Sequence, residues 1–235
     1  MPDSVRVVEV GPRDGLQNEK TPVPVEVKVE FIGRLAAAGL RTIEAGSFVS
    51  PKRVPQMADT AEVLRRLPRD AGVRYPVLVP NIRGMEDALT AGAGEVAVFA
   101  SASETFSQKN IGCSIAESIE RFRPVVELAK ARSIAVRGYV SCVLGCPYEG
   151  PVAEAAVASV SREIAALGCY EIALGDTIGI GTPRRARDVV RAVAGETGIG
   201  MLAVHFHDTR GQALANILAC LEEGVAVVDG AVAGL

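Results

Sequence analysis

Amphipathic helical stretches and short β-rich runs alternate along this chain, and a glycine marks several of the junctions. Ala38-Gly39-Leu40 precedes Thr42-Ile43-Glu44-Ala45. Ala91-Gly92-Ala93-Gly94 precedes Glu95 to Phe99, Leu167-Gly168-Cys169 precedes Glu171 to Leu174, and Glu223-Gly224 precedes Val225 to Val228. Glycine stops a helix by taking the left-handed conformation at little steric cost. Four such stops, each feeding a strand, predict serial βα units on a parallel sheet. The pattern gives eight strands, at 5–10, 42–46, 74–79, 95–101, 135–141, 171–176, 202–208 and 227–233.

The helical runs between them carry their own signals. Val25, Val29, Ile32 and Leu35 keep one stripe, and Ser114-Ile115-Ala116-Glu117 reads as a capping box opening a helix along Ile115, Ile119, Phe122 and Val126. Pro124 is expected to kink that helix. Thr182-Pro183 reads as a cap followed by proline at the first helical position, and the last helix spans 211–223. Eight parallel strands alternating with helices predict a single (β/α)8 TIM-barrel domain of the α/β class. The competitor is a doubly wound open sheet. Against it, no Gly-x-Gly-x-x-Gly follows the first strand, and polar candidate residues follow several strands rather than one crevice. The chain stops just after the eighth strand, so the domain over 1–235 is expected to be C-terminally incomplete, without its eighth outer helix.

Composition narrows the function classes. With 49% hydrophobic and 23% charged residues the 235-residue chain is a folded globular protein rather than a disordered one. A net charge of −3 and 4% aromatics with no Trp argue against nucleic acid or an anionic membrane as partner. The five cysteines, an odd number without secreted-domain spacing, read as reduced thiols of a cytoplasmic protein. Cys142-x-x-x-Cys146 stands alone, whereas zinc knuckles pair two such clips. No apolar run is long enough to span a bilayer, and a first strand starting this early is expected to leave no room for a leader.

The chemistry gathers at predicted strand ends. The only two histidines, His205 and His207, are two residues apart in a strand and so project to one face. Arg13 and Asp14 follow the first strand, Glu44 closes the second and Asp176 ends the sixth. The C-terminal strand ends of such a barrel form its active face. Each residue also has a plainer reading: Asp14 as a turn cap, Glu44 as the ion-pair partner of Arg13, Asp176 as a bond to the following backbone. Two imidazoles and a carboxylate suit Mg²⁺, Mn²⁺ or Zn²⁺, and only two histidines exclude a multi-histidine binuclear hydrolase.

Five segments carry a family resemblance: Val8 to Lys20 (VEVGPRDGLQNEK), Ser47 to Lys52 (SFVSPK), Gly138 to Gly150 (GYVSCVLGCPYEG), Gly175 to Gly179 (GDTIG) and His205 to Thr209 (HFHDT). They closely resemble the 3-hydroxy-3-methylglutaryl-CoA lyases. The Arg-Asp and metal elements recur in other carbon–carbon lyases and synthases on this barrel, while SFVSPK and CVLGCPYEG are more specific to the lyases. The resemblance implies cleavage of 3-hydroxy-3-methylglutaryl-CoA to acetoacetate and acetyl-CoA, as in leucine degradation or ketone-body formation. It implies Asp14, His205 and His207 as ligands of a divalent cation, Mg²⁺ or Mn²⁺. It also implies Arg13 as the residue facing the thioester carbonyl, and Glu44 and Asp176 as catalytic residues that orient Arg13 or relay protons.

Gln17, Lys109 and Asn110 are implied on the substrate, and Lys20 and Lys52 could meet CoA phosphates or be ordinary surface charge. The family's catalytic Cys and a further Asn ligand would lie past Leu235, so none of the five cysteines takes that role. Two other readings stand beside the lyase: an acetyl-CoA-condensing, isopropylmalate-synthase-like enzyme, and a non-catalytic barrel that binds metal or CoA. The expected partner is an acyl-CoA, and a homodimer is the assembly to test.

Overall fold

The computed structural model of the protein describes residues 1–69 and 72–235. Eight strands alternate with helices in chain order: β1 (Arg6–Glu9), α1 (Val25–Ala37), β2 (Gly46–Ser47), α2 (Thr60–Arg66), β3 (Val77–Leu78), α3 (Ile82–Ala91), β4 (Glu95–Ser101), α4 (Glu104–Ile111), α5 (Ile115–Ala131), β5 (Ala135–Ser141), α6 (Glu154–Leu167), β6 (Glu171–Asp176), α7 (Pro183–Thr197), β7 (Leu202–Phe206), α8 (Ala213–Glu222) and β8 (Val227–Gly230). The strands follow one another in the sheet as β1-β8-β7-β6-β5-β4-β3-β2. β1 is bonded on both sides: Arg6 N–H reaches Ala226 O at 2.9 Å, and Glu9 pairs in parallel with Ile43. This is the (β/α)8 class that the repeating pattern predicts.

Two compact units divide the chain. One holds Met1–Arg6, Phe99–Val126 and Val136–Asp229; the other holds Val7–Val98, Glu127–Ala135 and Gly230–Leu235. In the first, β5, β6 and β7 form a continuous parallel ladder, with Tyr139 opposite Ala173 and Ala173 opposite Ala203. Val140, Ile172, Leu174 and Val204 are fully buried in it, the apolar run expected of a strand covered on both faces. In the second, Ile32 of α1, Ile43, Val63 of α2 and Val77 of β3 are equally buried.

Several elements are shorter than their hydrophobic runs. The second and third strands, read as 42–46 and 74–79, are regular only at Gly46–Ser47 and Val77–Leu78, with isolated bridges at Thr42, Ile43 and Arg74. Pro76 lies inside the third run and has no N–H, although its carbonyl still accepts from Ala45 N–H at 2.9 Å. The seventh strand ends at Phe206, which leaves His207 just beyond it. The eighth ends at Gly230, because Val232 N–H turns to the Glu9 side chain (3.2 Å) instead of a backbone carbonyl.

The helix signals divide. The capping box is present, with Ser114 N–H on Glu117 (2.7 Å) and Glu117 N–H on Ser114 Oγ (3.1 Å). Gly92 and Gly168 end α3 and α6 with φ of 82° and 113°. Thr182 occupies the cap position of α7, but its side chain makes no capping bond, so Pro183 alone carries that signal. α5 runs through Pro124 as one helix.

One packing contact is tight enough to test. A Cβ on Gly138 of β5 would sit 2.3 Å from Ile164 Cγ2 of α6. Overpacking of this kind costs about 1–3 kcal/mol, and each kcal/mol is worth roughly 2–4 °C in a chain of this size. Gly138→Ala is expected to lower the melting temperature by several degrees in a thermal scan.

Candidate functional site

The first cluster follows β1. Residues 11–15 form a single wide π-type turn, an uncommon geometry that recurs at functional sites. The turn needs glycine at both ends. A Cβ on Gly11 would lie 2.6 Å from Glu9 Oε1, and one on Gly15 would lie 2.6 Å from Leu235. Glu9 accepts from Gly11 N–H at 2.7 Å and from Val232 N–H at 3.2 Å, which locks the start of the turn. Burial lifts the Glu9 carboxyl above its ordinary range, and the two backbone donors offset only part of this.

The turn presents Arg13 and Asp14. Arg13 is buried; its Nε donates to Glu44 Oε2 at 2.7 Å, and its Nη1 donates to Asp14. Gln17 Nε2 donates to Asp14 Oδ1 at 3.1 Å. The predicted pairing of Arg13 with Glu44 is therefore real. Glu44 fixes one edge of the guanidinium and Asp14 steadies another, so the planar group is held in one orientation.

The second cluster sits at the end of β7, with His205 in the strand and His207 one residue beyond it. Nε2 of His205 and Nε2 of His207 are 3.1 Å apart, their rings tilted at 49°. Two imidazole nitrogens on one ion, each about 2.1 Å from it, lie about 3.0 Å apart at a right angle and about 3.4 Å apart at the tetrahedral angle. The pair thus has the spacing of two ligands on one cation, and neutral imidazole nitrogens are the donors such a cation takes. His205 Nδ1 lies 3.1 Å from Asp229 Oδ2, and the Tyr139 ring meets His205 edge-on at 5.9 Å between centroids. His205 and His207 thus offer two nitrogen donors to one metal ion.

Asp176, at the end of β6, is fully buried and accepts from Ile180 N–H (3.3 Å) and Gly181 N–H (2.8 Å). Its backbone-binding reading is realised: it shapes the loop before α7. Lys109 and Asn110 lie exposed in the last turn of α4, where the Lys109 ammonium stands 4.0 Å over the Tyr148 ring. Lys20 and Lys52 are exposed. Cys142 and Cys146 belong to no metal group among the described residues. Cys146 Sγ instead accepts from Ser103 Oγ at 3.0 Å and from Tyr148 and Glu149 N–H at 3.4 Å each. Burial opposes ionisation of that thiol, but the three donors outweigh it and its pKa falls, whereas burial pushes Cys142 up to about 12.

The pattern reading missed Arg137, Tyr139, Glu171 and Asp229. All four lie in strands that otherwise read as apolar, and Arg137 and Asp229 are almost wholly buried. Charges of both signs inside such strands were the available signal, because a buried charge must be paired.

The fold is of the (β/α)8 class, with an Arg-Asp turn after β1 and a His-x-His pair at the end of β7. The HMGL-like family profile matches residues 4–235, and the chain belongs to that family. It is 60% identical over 234 residues to the mitochondrial hydroxymethylglutaryl-CoA lyase of Gallus gallus, covering 100% of this chain and 78% of the relative. It is 59% identical to the 3-hydroxy-3-isohexenylglutaryl-CoA/hydroxy-methylglutaryl-CoA lyase of Pseudomonas aeruginosa, with the same coverage of each. The crystal structure of hydroxymethylglutaryl-CoA lyase from Pseudomonas aeruginosa superposes with a TM-score of 0.98 at 59% identity, over 100% of this chain and 78% of that one.

Proposed function

We propose that this chain is a carbon–carbon lyase that cleaves 3-hydroxy-3-methylglutaryl-CoA to acetoacetate and acetyl-CoA, with a divalent cation held by Asp14, His205 and His207. The observation that carries the metal reading is the 3.1 Å approach of the two histidine Nε2 atoms, the spacing of two ligands on one ion. Mg²⁺ or Mn²⁺ is the cation proposed. When bound it supplies Lewis acidity to the substrate's tertiary hydroxyl and neighbouring carboxylate.

The chain's own residues divide the remaining work. Breaking the carbon–carbon bond leaves the electron pair on the acetyl-CoA fragment as an enolate. Arg13 faces that developing oxyanion with its N–H groups. Glu44, bonded to Arg13 Nε at 2.7 Å, keeps the guanidinium in its plane. Asp176, with the lone pairs left by its two backbone bonds, relays the proton that leaves the tertiary hydroxyl as the ketone forms, and that proton ends on the enolate carbon to give acetyl-CoA. Gln17 steadies Asp14 and borders the substrate, and Lys109 and Asn110 take the CoA chain. Residues 1–235 act as one catalytic domain. The cytoplasm is the proposed location, supported by five free thiols, and no helix among the described residues is long and apolar enough to cross a membrane. A homodimer is the proposed assembly.

The test is a cleavage assay on chelator-stripped protein with Mg²⁺ or Mn²⁺ added back. Acetoacetate and acetyl-CoA are expected in equal amounts, with activity lost on stripping and restored by the cation. No cleavage by the metal-loaded protein would overturn the lyase reading, and full activity after stripping would overturn the metal.

A further inference from the structure

We infer that Asp229 is the positioning residue that sets the tautomer of His205, and that a chain of alternating charges, Arg6–Glu171–Arg137–Asp229, exists to hold it there. The inference deepens the proposed function and rests on His205 being a metal ligand.

The geometry leaves little freedom at Asp229. Its side chain is completely buried at the end of β8. Arg137 grips it with two parallel bonds, Nη2 to Oδ1 at 2.6 Å and Nη1 to Oδ2 at 3.0 Å. The remaining contact is His205 Nδ1, 3.1 Å from Oδ2. An ionised carboxylate only accepts, so the proton on His205 must sit on Nδ1. That makes Nε2, the atom 3.1 Å from His207 Nε2, the unprotonated nitrogen of the ring. A metal ligand needs this tautomer, and a carboxylate behind the ring also raises its basicity.

Ionisation of Asp229 is assured by its neighbours. Both of its oxygens accept from the Arg137 guanidinium in two parallel bonds, the geometry of a carboxylate facing a fixed cation. Arg137 is in turn fixed from three sides. Its Nε donates to Glu171 Oε1 at 2.7 Å and its Nη1 to the Tyr139 hydroxyl at 2.7 Å. Glu171 lies directly opposite Arg137 in the β5–β6 ladder and takes Arg6 on its other oxygen. The four charges cancel, two positive against two negative, so the cluster is neutral without His205. Tyr139 does double duty: its hydroxyl holds Arg137 and its ring edge packs against the His205 imidazole. A purely structural ion pair would have no need to spend a bond on the histidine.

With only two histidines in the chain, the tautomers can be read directly from imidazole ¹⁵N shifts, assigned with a His207→Gln variant. In the metal-free wild type His205 is expected with its proton on Nδ1. The opposite tautomer would overturn the inference without any variant that has to fold. Asp229→Asn then removes the charge at constant shape. It is expected to move the His205 proton to Nε2 and to weaken Mn²⁺ binding, followed by electron paramagnetic resonance, about 10–100-fold. Wild-type Mn²⁺ affinity in a folded Asp229→Asn protein would also overturn it. If wild-type protein binds no Mn²⁺, the metal reading itself fails, an outcome separate from either of these.

Discussion

His205→Ala is expected to reduce turnover by about 10³-fold or more, with the fold retained. A cation acting as Lewis acid supplies several kcal/mol to the transition state, and each 1.36 kcal/mol is a factor of ten in rate. Removing one of two converging imidazoles leaves His207 without the partner that its Nε2 meets at 3.1 Å. Stability should change far less. Asp229 loses a single bond from His205 and keeps both bonds from Arg137, so no buried charge is left unpaired. The measurement is turnover per folded molecule in chelator-stripped protein back-titrated with Mg²⁺, beside a thermal scan. Wild-type turnover across that titration would remove His205 from the ligand set.

Much of this architecture was legible in the sequence, for identifiable reasons. Strands covered on both faces read as near-continuous apolar runs, and β4, β5 and β6 coincide with their runs to the residue. Where the runs overreached, local covalent chemistry or a side chain intervened: Pro76 withholds a donor, and Glu9 captures the N–H of Val232. The histidine pair was legible because alternate residues of an extended chain fall on one face, and the chain stays extended far enough past Phe206 for His207 to meet His205. Asp229 was not, because Val-Val-Asp-Gly reads as a strand ending in a turn. Its role depends on Arg137, which is 92 residues away in the sequence. Sequence spacing finds neighbours along one strand; it does not find partners that only the sheet brings together. Asp176 was legible as a carboxylate at a strand end; the two backbone N–H groups that it also organises were not, because they depend on how the following loop folds back.

Arg13→Lys is expected to lower kcat by about 10²-fold, the scale seen when one oxyanion donor is removed, with a small change in melting temperature. The substitution keeps the positive charge, so Glu44, fully buried beside it, still has a cation to face. What it removes is the fork. Arg13 donates through Nε to Glu44 and through Nη1 to Asp14, and these two bonds fix the plane of the remaining N–H groups. A lysine ammonium is a point charge on a flexible stem and can satisfy Glu44 without presenting donors in a fixed direction. The effect should therefore fall on kcat more than on KM, because the lost donors matter most when charge develops on the thioester oxygen. Glu44→Gln offers the complementary test. It keeps an acceptor for Arg13 Nε but drops the charge, so a smaller loss of kcat is expected than for Arg13→Lys. If Arg13→Lys instead melts early while turnover per folded molecule stays intact, the Arg13–Glu44 pair is there to hold the turn after β1, and the oxyanion must be met by another group.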